Sequence, residues 1–134
     1  MRLLVVPIAL ALVAAGCGQD DEQAAAPTPG TYSFAELTVT VDRDGTGGTG
    51  AKTVRVRCGP ASDSQECAAL ADMKASTFKP TPPTMACTEL YGGPQVATVK
   101  GRLRGKPVNA RFSRTNGCEI ARWNKASKLL EAVG

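Results

Sequence analysis

Between Tyr32 and Asp42 apolar and polar residues alternate, with Leu37, Val39 and Val41 on one side and Thr38 and Thr40 on the other. A period of two is that of a strand with one buried face. The alternation returns in KTVRVRC, where Val54, Val56 and Cys58 share one face and Arg55 and Arg57 the other. The two runs are expected to pair antiparallel across the Gly-rich segment Arg43 to Ala51. That segment lacks the Lys-Ser/Thr ending and the following helix of a phosphate-binding loop, so it reads as a mobile hairpin connection.

From Cys67 the pattern changes. In CAALADMKA the residues Cys67, Leu70, Ala71 and Lys74 fall on one helical stripe, and Asp63 and Ser64 are available to start the turn, which predicts a short amphipathic helix. Phe78 to Pro94 holds four prolines and the pair Gly92 and Gly93 around Cys87, so it cannot continue a helix and reads as a long, shaped loop. Two strands joined at Arg104, Gly105 and Lys106 follow. Val96, Thr98, Lys100, Arg102 and Arg104 lie on one face of the first, and Ala97, Val99, Gly101 and Leu103 on the other. The basic row is a solvated sheet face or, more sharply read, a polyanion site. Ile120, Trp123, Leu129 and Leu130 then recur at roughly helical spacing, predicting a short C-terminal helix on the sheet with Trp123 as a core anchor.

The N-terminal end obeys none of these periods. Arg2 precedes an apolar run from Leu3 to Ala15, too short to cross a bilayer, and the run closes on Ala14, Ala15 and Gly16 before Cys17. Residues 1–16 are read as a signal peptide whose ending resembles the lipobox of bacterial lipoproteins. Cys17 would then carry lipid and become the mature N-terminus; simple secretion is the alternative. Residues 17–30 are polar and rich in Ala and Pro, a disordered tether, and the folded domain is expected over 31–134.

Composition narrows the chemistry. The 134 residues include no histidine, which removes histidine-dependent hydrolysis and imidazole metal sites. The carboxylates are scattered, so the chain is read as a non-enzyme with no cofactor and no metal site. The segment after the tether carries 15 Lys and Arg against 9 Asp and Glu, but with only three Phe, two Tyr and one Trp in the chain no nucleic-acid stacking platform is seen, and nucleic acid is not an expected partner. Five cysteines are an odd number for an oxidising compartment, and a lipidated Cys17 leaves four that allow three pairings.

Those four cysteines, Cys58, Cys67, Cys87 and Cys118, occur with further features in a fixed order. Tyr91 follows Cys87 closely, Val99 to Val108 has the form VxGxxxGxxV, and Asn116 lies two residues before Cys118. In these features the region from Phe34 to Trp123 resembles the Streptomyces subtilisin inhibitor family. The resemblance implies an α+β fold: a five-stranded antiparallel sheet with two short helices on one face, and disulfides joining Cys58 to Cys67 and Cys87 to Cys118. It also implies reversible, substrate-like inhibition of a subtilisin-like or glutamate-preferring serine endopeptidase, and it admits a homodimer. Matched in order, Ala86, Cys87 and Thr88 would enter the non-primed side, Glu89 the primary specificity pocket, and Leu90 and Tyr91 the primed side.

Asn116 has two readings. Its amide can donate hydrogen bonds to carbonyls flanking Glu89, or it can form with Gly117 a turn of positive φ. Gly92 and Gly93 lengthen the segment after Tyr91 and predict a looser exit from the loop. The leading expectation is a membrane-anchored, extracytoplasmic protease inhibitor. The alternative is a non-inhibitory cell-envelope binding lipoprotein that keeps the inhibitor fold.

Overall fold

A computed structural model describes Ser33–Gly134. The expected signal peptide, the lipidated Cys17, the tether and the boundary at residue 31 lie outside the described residues. Four strands, β1 (Ala35–Asp42), β2 (Ala51–Cys58), β3 (Val96–Leu103) and β4 (Lys106–Phe112), form one antiparallel sheet in the order β2-β1-β3-β4. The alternation read from the sequence sets the register. Val39 stands opposite Val54 on one side and Val99 on the other, and Val99 opposite Ala110. These side chains, with Leu37, Val41, Leu103 and Phe112, build the buried face.

The expected fifth strand is not found among the described residues. The connection from Lys79 to Gln95 holds Pro80, Pro82, Pro83 and Pro94, none of which can donate to a ladder, so it stays outside the sheet.

Both helices cover the apolar face. Helix α1 (Gln65–Asp72) starts two residues before Cys67, where the Ser64 hydroxyl accepts the Cys67 N–H at 3.3 Å. It buries Cys67, Ala69 and Leu70. Ala71 and Lys74, expected on the stripe, are exposed: Ala69 faces inward in place of Ala71, and the helix ends at Asp72, before Lys74. A 3₁₀ turn at Ala75–Phe78 then brings Phe78 edge-on to Phe112, ring centroids 6.3 Å apart. Helix α2 (Gly117–Val133) runs for 17 residues, longer than predicted, because neither proline nor glycine interrupts it after Gly117. It buries Ala126, Leu129, Leu130 and Val133, with Trp123 half-buried against the core.

Two turns depart from their sequence readings. The Gly-rich connection is organised by Asp42, whose carboxylate accepts the backbone N–H groups of Asp44, Gly45 and Gly47 at 2.7 to 3.2 Å. Its donors point at the protein's own anion. At the β3–β4 turn Arg104 adopts φ 49° and leaves the outer basic row. Its guanidinium donates to the carbonyls of Leu70, Ala71 and Met73, capping the C-terminal end of α1.

Candidate functional site

The long connection has no regular secondary structure from Pro80 to Pro94, so its shape must come from anchors. The first is Thr81, whose hydroxyl donates to Glu119 Oε1 at 2.6 Å. Glu119 Oε2 accepts Arg122 at 2.7 Å, and Arg122 also donates to the Arg111 carbonyl and lies over the Phe112 ring. The proline-rich approach is thereby tied through α2 to the sheet. The second anchor is the Cys87–Cys118 disulfide, with Cα atoms 5.4 Å apart. The other bridge, Cys58–Cys67, joins β2 to α1 at the opposite end of the sheet.

Beyond Cys87 two backbone hydrogen bonds bracket a short exposed segment. The Gly117 N–H donates to the Thr88 carbonyl at 2.9 Å, and the Gly92 N–H donates to the Arg114 carbonyl at 2.7 Å. Between these points Glu89, Leu90 and Tyr91 project outward, Leu90 at 61% and Tyr91 at 69% exposure. Among the described residues the Glu89 carboxylate has no hydrogen bond or ion pair. Ala86 and Thr88 are exposed and Cys87 half-buried. The six residues Ala86 to Tyr91 therefore form one continuous, accessible strip.

Asn116 caps a helix, and among the described residues its amide makes no hydrogen bond to the carbonyls flanking Glu89. Its backbone is extended at φ −155°, which excludes the positive-φ turn, and its amide oxygen accepts the Glu119 N–H at 3.0 Å as the N-cap of α2. The contact with the loop comes instead from the next backbone N–H, that of Gly117. A Cβ there would collide with Thr88 Oγ1, so the glycine permits the close approach. Nor is the exit loose. A Cβ on Gly92 would lie 2.9 Å from Ile120 Cδ1, so this glycine lets the chain pass against α2 and reach Arg114. Gly117, Gly92, Thr81 and Glu119 were missed as site residues; the pattern Asn116-x-x-Glu119 is the signal that marks the helix start.

Beside the strip lies an open groove of about 720 Å³, with Pro80, Pro82, Met85, Leu90 and Ile120 among its walls. Among the described residues no group of three or more His, Cys, Asp and Glu comes together, and no helix is long and apolar enough to cross a membrane. The two disulfides belong to an oxidising setting. Compared with known proteins, the chain matches no family model, no curated protein and no solved structure.

Proposed function

We propose that the protein is a reversible, substrate-like inhibitor of a serine endopeptidase, held at the outer face of a membrane by lipid on Cys17. The observation that carries this reading is the exposed run Glu89–Tyr91, fastened on both sides: Thr88 to Gly117, Gly92 to Arg114, and Cys87 to Cys118. A strip presented to a protease is ordinarily a substrate. It becomes an inhibitor when it is rigid enough to enter the active site without ordering cost and when its cut ends cannot leave.

The serine would attack the Glu89 carbonyl and form an acyl-enzyme, with Leu90 as the leaving amine. The Gly92 bond keeps that amine close while the disulfide and the Thr88 bond hold the acyl side. Reversal then competes with hydrolysis. Glu89 in the primary pocket favours a glutamate-selective enzyme, because only cationic or donor groups replace the hydration its carboxylate loses. A broad subtilisin with an apolar pocket is the weaker target. The apolar groove beside the strip would receive the rim of the protease.

Residual activity of a glutamate-selective and a broad serine protease, titrated with the full chain, tests the proposal. Inhibition of the first at lower concentration than the second supports it, and Glu89→Met should reverse that order by tenfold or more, on the order of 1.4 kcal/mol. Inhibition of neither by an intact, folded chain would refute it.

A further inference from the structure

The sheet face opposite the helices is uncovered among the described residues, and the register shows what it presents. Arg57, Glu36 and Arg102 lie side by side in one row, and Arg55, Thr38 and Lys100 in the next. Thr53, Thr40, Thr98 and Arg111 form the third. Five exposed cations on three strands thus share this face with the Glu36 carboxylate in its first row; Asp42, next on the same side of β1, is buried and taken up by the N–H groups of the Gly-rich turn. Glu36 pairs with Arg57 at 3.4 Å; among the described residues Arg55, Lys100, Arg102 and Arg111 have no ion pair. With strands about 4.8 Å apart and alternate residues about 6.8 Å apart, the cations cover a patch roughly 14 Å square.

We propose that this face docks on the surface of an anionic phospholipid bilayer. A second copy stacked face to face would set cations against cations. The short threonines between them give an apolar partner little to bury. A linear polyanion would follow one row, whereas the array extends in two directions, over three rows and across the four strands, as a headgroup layer does. A depression of about 500 Å³ between Arg55, Arg57 and Lys100 is open and bordered by the Glu36 carboxylate, a poor enclosure for a single anion.

The connectivity agrees with that occupant. β1 enters the sheet at Ala35, beside the row of Arg57 and Arg102, and the 13 residues Gly18 to Gly30 that precede it extend to roughly 45 Å at most. An acyl group on Cys17 and a basic patch are the two signals whose combination anchors stably where one acyl chain does not. The strip Glu89–Tyr91 is fastened to residues that follow Phe112, at the far end of the sheet from Ala35. Docking leaves it uncovered, so the inference stands apart from the inhibitory reading.

Binding of the full chain to phosphatidylglycerol-containing vesicles and to phosphatidylcholine vesicles, at low and high salt, tests the proposal. One variant is Arg55→Gln/Lys100→Gln/Arg102→Gln. The other, Lys79→Gln/Lys125→Gln/Lys128→Gln, removes the same charge from exposed positions away from this face. The N-terminal segment is common to all three chains, so its contribution cancels. Each cation at an anionic surface contributes about fivefold in affinity, so the first variant should lose on the order of 100-fold on anionic vesicles and most of its salt dependence. The second should lose only a few-fold. Equal losses in both variants would overturn the proposal. So would equal binding of the parent chain to both vesicle types, or binding to soluble polyphosphate without binding to vesicles.

Discussion

Removing the Cys87–Cys118 bridge is the perturbation whose consequences can be worked furthest. The bridge spans 31 residues, and in the chain-entropy treatment closing a loop of that length restricts the unfolded chain by about 3.7 kcal/mol at 25 °C. In a fold of this size such a loss lowers Tm by about 15 °C or more. The bridge also encloses the Glu89–Leu90 bond, so a chain cut there remains one covalent molecule. Cys87→Ser/Cys118→Ser should therefore do two things at once. Urea unfolding should show a stability loss of about 3 to 4 kcal/mol, and a glutamate-selective protease should cut the loop faster and irreversibly, releasing two fragments. The cut parent should keep the mass of the intact chain plus one water under non-reducing conditions. A variant that loses less than about 1 kcal/mol and is cut at the parent rate would refute the argument that the bridge clamps the strip.

Gly117→Ala should push Thr88 away and break a backbone hydrogen bond worth about 1 kcal/mol. The higher helix propensity of Ala offsets this in the melt, so thermal unfolding should hardly shift while cleavage at Glu89–Leu90 accelerates. Arg104→Ala should cost about 1 to 2 kcal/mol in urea unfolding through its three lost contacts with α1. Arg104→Gly should cost about 1 kcal/mol less, since it relieves the left-handed backbone. The Thr46 backbone N–H, and next its hydroxyl, hold the Asp44 carboxyl below its ordinary value of 3.8. A depressed carboxylate adds stability above its unfolded pKa and loses it as pH falls through the folded value. In a carboxyl-observed NMR titration Thr46→Ala should move Asp44 back up toward 3.8.

The strands were legible because each carries its own alternation, and both hairpins follow from runs adjacent in sequence. The pairing of β1 with β3 was not, since nothing local links Val39 to Val99. Helix α2 was underestimated because its apolar residues after Trp123 cluster at Ala126, Leu129, Leu130 and Val133, and its first two turns are tied down by Asn116, Glu119 and Arg122. Arg104 looked like one more cation in an alternating row. Only the turn geometry sends it to the other side. At the site, the six residues singled out from the sequence lie within a longer exposed stretch that begins at Pro82, and the fastenings on either side of Glu89–Tyr91 are mostly backbone groups. A side-chain alphabet names Asn116 and conceals the Gly117 N–H beside it.

The most direct test of the account begins from the cut protein. Chain cleaved only at Glu89–Leu90, purified with both disulfides intact, is returned to a catalytic amount of the same protease, and the intact form is followed by mass under reducing conditions. Held ends predict that intact chain reappears and that cut and intact chains reach the same mixture from either direction, with the cut chain inhibiting as well. A cut chain that stays cut, leaves the protease fully active and is degraded further would contradict the claim that this strip is an inhibitor's.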